Sequence, residues 1–99
     1  MTISFDDDLN RQLQNPEFQK EWLRQTILDY IENGDYIEFF RALEQVIKAR
    51  TTVTDFAQQV GINRVQLVDI LHGRTKTPSL ITIGKILSGL GYTLDVKSA

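Results

Sequence analysis

Residues 64–72 hold six side chains that could do chemistry together: Arg64, Val65, Gln66, Val68, Asp69 and His72. Arg64, Val65, Val68, Asp69 and His72 fall on the side of a short helical pattern left free by its apolar residues Leu67, Ile70 and Leu71, with Ile62 just ahead of them. A second short pattern precedes it, with Phe56, Ala57 and Val60 facing inward and Gly61 where the chain must reverse. Two short helices crossing closely at a glycine turn form a DNA-binding helix-turn-helix, and the outer row of the second helix would meet a major groove. Arg64 suits guanine O6 and N7, a bidentate pairing that contributes ~1–3 kcal/mol of discrimination. It suits a phosphate equally well. Gln66 fits an adenine edge or a phosphate. Val65 and Val68 have no polar reach, so they meet thymine methyls or, alternatively, a protein surface. Asp69 could accept from cytosine N4, or restrain Arg64 or His72 and repel wrong sequences. His72 either joins the contact or simply ends the helix where the dipole favours a cation.

Polar residues around this row supply register rather than readout. Asn63 is the expected cap of the second helix and turns its N-terminal end toward the DNA. Thr54, Arg74, Lys76 and Thr77 would hold phosphates, and Arg74 and Lys76 otherwise read as solvated loop charges.

The overall balance of −2 over 99 residues looks wrong for a nucleic-acid binder until it is divided along the chain. Residues 1–40 carry three basic side chains against nine acidic ones, whereas residues 41–99 carry eight basic against four acidic. A basic C-terminal part suits phosphate, and an acidic N-terminal part suits a basic partner or serves solubility alone. The length fits one domain with a single modest core. With no cysteine and one histidine, disulfides, thiolate metal sites and a histidine-rich metal centre are excluded, and no cofactor is expected. No apolar run approaches a membrane span and the N-terminus does not read as a signal peptide, so a cytoplasmic protein is expected.

The elements that must position the row follow from caps and periods. Phe5, Leu9 and Leu13 outline a short helix over Asp6–Leu13. Asn15-Pro16-Glu17 opens a long one that runs to about Asn33, where Gly34 ends it. Asp35 caps the next helix, with Glu38 completing a capping box and Tyr36, Phe39, Phe40, Leu43, Val46 and Ile47 forming its inner stripe. Thr52 with Asp55, or Thr54 alone, caps the first helix of the motif. Thr77-Pro78 starts the last helix, with Leu80, Ile83, Ile86, Leu87 and Leu90 inward, and Gly91 closes it.

Two stretches pose problems. The long helix carries a stripe of Leu23, Ile27, Tyr30 and Ile31, yet Phe18 and Trp22 lie nearly opposite, so it must be covered on two sides. The first short helix, a second subunit or a foreign protein could provide that cover. The tail alternates through Tyr92, Leu94 and Val96 like a strand, which would need a partner strand from a second subunit or another protein, or else fray against the last helix.

With these residues placed, the chain resembles the HigA-like addiction-module antidote (antitoxin) proteins of the Xre/Cro, phage-repressor-like helix-turn-helix superfamily. Asn15-Pro16-Glu17-Phe18, Glu32-Asn33-Gly34-Asp35, Gly61-Ile62-Asn63-Arg64 and Thr77-Pro78-Ser79-Leu80 carry the likeness in order and spacing, and Leu90-Gly91-Tyr92-Thr93-Leu94 fits the family's ending. Val53 stands where many relatives place a polar phosphate-clamping residue, a role that Thr51, Thr52 or Thr54 would have to fill. The resemblance implies an all-α domain of five to six helices with an N-terminal helical extension and a short C-terminal β-strand. Residues 1–50 would be the N-terminal helices available to a partner or a dimer, 51–91 the DNA-binding core and 92–97 the strand.

The family's members bind and block a small basic toxin, often an RNase of the RelE type, and repress their own operon as homodimers. For this chain that implies double-stranded operator DNA and a cognate toxin as partners. Asp6, Asp7, Asp8, Glu21 and Asp29 would meet the toxin's charge, with Phe18 and Trp22 as anchors. A stand-alone repressor of the same superfamily is the alternative, and an interaction module that has lost DNA binding is a third reading. No phosphate loop, metal cluster or nucleophile–base pair suggests an enzyme.

Overall fold

Asn15 and Pro16 start the long helix by the expected means. The Asn15 side chain accepts from the Glu17 N–H at 2.9 Å, and Pro16 occupies the first turn, where no N–H is required. The computed structural model describes residues 11–12, 14–96 and 98, and this helix is α1, Pro16–Asn33. It is followed by α2 (Tyr36–Arg50), α3 (Val53–Val60), α4 (Arg64–Leu71) and α5 (Leu80–Gly89). Of the short helix expected over Asp6–Leu13, Arg11 and Gln12 are helical, and the remainder lies outside the described residues. No helix among the described residues is long and apolar enough to cross a membrane.

Each start has its cap. Asp35 accepts from Glu38 N–H at 3.5 Å and Thr52 from Asp55 N–H at 3.1 Å, which settles the choice between Thr52 and Thr54 and leaves the Thr54 hydroxyl free for another partner. Gly61 ends α3 at φ 73°, a left-handed backbone in which a side chain would be strained, and its N–H returns to the α3 carbonyls.

The stripe on α2 becomes the centre of the core. Phe39, Phe40, Leu43, Val46 and Ile47 are fully buried there, joined by Ala42, while Tyr36 is half-buried at the edge. Around them pack Leu23 of α1, Phe56 and Ala57 of α3, Leu67, Ile70 and Leu71 of α4, and Ile83, Ile86 and Leu87 of α5. Each such side chain contributes about 1.5–3 kcal/mol by leaving water. That single cluster fixes α4 against α2 and α3, so its outer row is presented by rigid elements.

Three expectations need correction. The buried face of α1 takes in only part of the stripe of Leu23, Ile27, Tyr30 and Ile31: Leu23 is buried and Ile27 and Tyr30 pack against the core, but Ile31 does not. Its centre runs through Gln19, Leu23 and Thr26, with Gln19 5% and Thr26 6% exposed, whereas Ile31 is 70% exposed. Polar groups can hold a buried line when their hydrogen bonds are met. Thr26 Oγ1 donates to the Trp22 and Leu23 carbonyls at 2.9 and 3.2 Å, and Gln19 Oε1 accepts from Arg50 Nη2 and Nε at 2.7 and 3.0 Å.

The second correction concerns α5. Ser79 caps it by accepting from Thr82 N–H at 3.1 Å, two residues later than Thr77. Leu80 is thus in the first turn. Helical side chains tilt toward the N-terminus, so it projects past the end of the core and is 73% exposed instead of inward.

The third is the C-terminal strand, which does not form among the described residues. A strand needs a neighbour for its ladder, and none of the described segments supplies one. Tyr92 is instead pinned to the helices. Its N–H donates to the Leu87 carbonyl at 2.9 Å, and its hydroxyl accepts from Arg50 Nη2 at 3.1 Å. Arg50 also donates to the Leu90 carbonyl at 2.6 Å. Of Leu94 and Val96, expected in a dimer strand with Tyr92, Val96 is 93% exposed, while Leu94 borders a groove lined by Leu23, Ile27 and Leu87.

Candidate nucleic-acid interface

The helix α4 begins with a cap that uses one side chain twice. Asn63 Oδ1 accepts from the N–H groups of Val65 and Gln66 at 2.8 and 3.4 Å, which leaves the N-terminal end of α4 ordered and facing outward. Leu67, Ile70 and Leu71 turn into the core and fix the rotation of the helix. Arg64, Val65 and Gln66 are then exposed, while Val68 and Asp69 are half-buried on the flank. Val65 is 63% exposed. An apolar side chain this open beside a charged neighbour is what a thymine methyl or a protein surface would cover.

Arg64 is not loose. Its Nε donates to Thr54 Oγ1 at 3.0 Å, tying the start of α4 to the first turn of α3 and leaving the two terminal nitrogens of the guanidinium without a partner among the described residues. Thr54, named from sequence as a phosphate holder, is also a brace for the arginine.

Asp69, expected either to accept from cytosine N4 or to restrain Arg64 or His72, is paired with neither side chain. Its carboxylate meets Arg74 Nη1 at 2.9 Å. The reason is the turn that follows. His72 ends α4, Gly73 takes φ 77°, and Arg74 N–H comes back to the Asp69 carbonyl at 2.8 Å while Gly73 N–H meets the Ile70 carbonyl at 3.0 Å. This is a Schellman turn, which brings the residue after the glycine back over the third-last residue of the helix.

His72 goes elsewhere as well. Its Nε2 lies 2.9 Å from Glu44 Oε2 on α2, within hydrogen-bond distance. Lys48 Nζ approaches the other oxygen of Glu44 at 3.7 Å. In the following loop Lys76 Nζ sits 5.6 Å from the centre of the Tyr36 ring, its carbonyl accepts from the Tyr30 hydroxyl at 3.0 Å, and Thr77 is exposed beside it. Thus Thr54, Asn63, Arg64, Val65 and Gln66 gather at the α3–α4 end. Asp69 and Arg74 form the other edge of the row, and His72 with Lys76 leans toward α2.

On α1 the residues expected to meet a toxin share a flank. Phe18, Glu21, Trp22 and Asp29 recur at i, i+3, i+4 and i+11, so they lie along one side of the helix. Phe18 and Trp22 are half-buried against the core with their ring centres 5.9 Å apart, so only part of each ring is open to a partner. Glu21 accepts from Gln25 Nε2 at 3.1 Å and Arg24 Nη1 at 3.4 Å, and these donors hold its carboxyl below the ordinary 4.5, Gln25 contributing most. Asp6, Asp7 and Asp8 lie outside the described residues.

What the sequence reading missed is the Gln19–Arg50–Tyr92 network, and one signal for it existed. A basic residue at the end of α2 is a natural donor to a nearby helix-end carbonyl. The Leu90 carbonyl is that acceptor, at the end of α5. Among the described residues no group of three or more His, Cys, Asp or Glu side chains could hold a metal ion.

A family model described as "Probable addiction module antidote protein" matches residues 3–98. No curated protein and no solved structure matches the chain. Because the match covers nearly the whole sequence, from before α1 to beyond Tyr92, the chain belongs to the family of probable addiction module antidote proteins.

Proposed function

We propose that this antidote protein neutralises a small basic toxin, of the RelE-like RNase kind, and represses its own operon as a homodimer by placing α4 in the major groove of operator DNA. The antitoxin role and the toxin partner rest on the family; the DNA-binding role rests on the α3–α4 unit. One observation carries it: Arg64 stands at the capped start of α4, held at Nε by Thr54 with its two outer nitrogens free of any partner among the described residues. A guanidinium held at one nitrogen and open at two is prepared for a bidentate partner at little further ordering cost.

In this reading Arg64 and Gln66 meet base edges or phosphates, and Val65 and Val68 meet thymine methyls. Arg74, Lys76 and Thr77 hold the backbone. His72, joined to Glu44, contributes by fixing the end of α4. The Phe18–Trp22 flank of α1, with Glu21 and Asp29, is the surface offered to the toxin, where half-buried aromatic rings between acids suit a basic protein.

Binding of the full chain to the DNA upstream of its own gene at ~150 mM salt tests the DNA role, because phosphate contacts alone dominate at low salt. Affinity at least ~10³-fold above scrambled DNA is expected, with Arg64→Ala losing ~1–3 kcal/mol. Equal weak binding to both duplexes would remove operator reading and leave toxin binding alone.

A further inference from the structure

We infer that Asp69 is a positioning residue that confines Arg74 to one docking register, and so raises specificity without touching a base. This rests on the DNA-binding reading above. An acid on the face turned toward DNA is at first sight a defect, because it repels every phosphate alike. The geometry gives it a use. Asp69 holds Arg74 twice: its backbone carbonyl accepts the Arg74 N–H at 2.8 Å, and its carboxylate binds Nη1 at 2.9 Å. The contact that accompanies a Schellman turn is commonly apolar, between the third-last helical residue and the second residue beyond the end; here the same two positions carry an ion pair.

The consequence is directional. Arg74 sits on a loop residue with its side chain largely in solvent, and a free arginine there would find a phosphate in any register. Clamped at one terminal nitrogen, it offers its remaining donors along one line, beside the outer row of α4. A phosphate on that line is met only when α4 sits in its proper place in the groove. The clamp thereby converts a contact that ordinarily carries no sequence information into one that penalises misplaced binding. Asp69, its charge matched by Arg74, no longer repels the backbone as an isolated acid would.

The test is a two-by-two set, wild type, Asp69→Asn, Arg74→Ala and the double variant, with Asp69→Glu alongside. Each full-length protein is titrated onto the duplex from upstream of its own gene and onto a scrambled duplex of equal composition at ~150 mM salt, where phosphate contacts alone do not dominate. Arg74 is largely exposed and Asp69 half-buried, and a thermal melt of each variant checks that the fold is retained. Asp69→Asn should lower the ratio of own to scrambled affinity by at least about threefold with Arg74 present, mainly by tightening the scrambled complex, a size typical of coupled neighbours. It should leave the ratio unchanged when Arg74 is already Ala. Asp69→Glu, which keeps the carboxylate, should recover much of the ratio. A fall of the ratio in both backgrounds would make Asp69 a base reader and overturn the proposal. No change of ratio in either background, with both duplexes bound more tightly, would reduce it to plain repulsion and overturn it as well. Equal binding of the wild type to the two duplexes would sink the DNA reading itself, and the proposal with it.

Discussion

The pair α3–α4 and the long helix α1 belong to the same core but are held in it by different means. In α3–α4 the buried residues are all apolar: Phe56, Ala57, Leu67, Ile70 and Leu71. In α1 the line turned inward holds Gln19 and Thr26 around Leu23, while Ile31 and Leu28 face solvent. A hydrophobic stripe marks the buried face only where no polar side chain has an internal partner. Thr26 finds its partner within its own helix, and Gln19 finds one on α2. The α3–α4 pair therefore rests on packing, and α1 rests on packing plus a polar tie.

The sharpest way to break this comparison is to remove one aromatic from each region. Phe56→Ala should cost about 3–5 kcal/mol, since the ring is fully buried among α3, α4 and α5 and its loss leaves a cavity. Trp22→Ala on α1 should cost distinctly less despite the larger ring, because the indole is only half-buried. Chemical denaturation of both variants decides it. Equal losses would mean that α1 is anchored by apolar packing after all, and that the polar tie is secondary.

A smaller effect tests the tie directly. Arg50→Ala removes the donors to Gln19, to the Leu90 carbonyl and to the Tyr92 hydroxyl in one step. Hydrogen bonds from a charged donor are worth ~1.5–3 kcal/mol, so a loss of that size is expected, with Tyr92 and the tail beyond it released. Arg50→Lys should not restore it, because an ammonium cannot span three acceptors as a planar guanidinium does. Thr26→Val should change stability by less than about 1 kcal/mol, since its two carbonyl acceptors keep the helix as partner. The difference between these variants, read by thermal melts, separates a polar residue that joins two helices from one that serves only its own.

The same contrast explains what was legible in the chain. Asn15, Asp35, Thr52 and Asn63 cap the helices because their side chains act over two or three residues, a range at which spacing is decisive. The inner stripe of α2 could be read because it is buried along its whole length. Legibility failed where the deciding partner is distant in sequence. Nothing near Gln19 announces Arg50, 31 residues on, whereas Asp69 and Arg74 are only five apart and are joined by the glycine turn between them. The tail failed for a related reason: alternation describes what a strand would look like, but a strand exists only where a neighbour pairs with it. Of the expected contact row, Arg64, Val65 and Gln66 stand together as the spacing implied, whereas His72 is drawn to Glu44 by a charge 28 residues away.

The smallest effect belongs to the solvent face of α1 and concerns charge alone. Glu21 accepts from Gln25 and Arg24 in the folded chain, so its carboxyl ionises more readily there than in the unfolded chain, whose ordinary value is 4.5. A group whose folded pKa is depressed stabilises the fold above its unfolded pKa, and that contribution disappears as pH falls through the folded value. The window therefore lies below about pH 4.5, and at neutral pH the contribution is complete. Both donors are solvent-exposed i+3 and i+4 neighbours, so screening keeps the effect slight and salt should erase most of it. Glu21→Gln should leave a shallower fall of melting temperature between pH 5 and pH 3 than the wild type shows, with the two curves converging in high salt. A variant curve as steep as the wild type would show that Glu21 is not among the groups that titrate with unfolding. The Glu21 carboxylate would then carry no charge-linked share of the fold's stability, and the anchoring of this flank would rest on Phe18 and Trp22 alone.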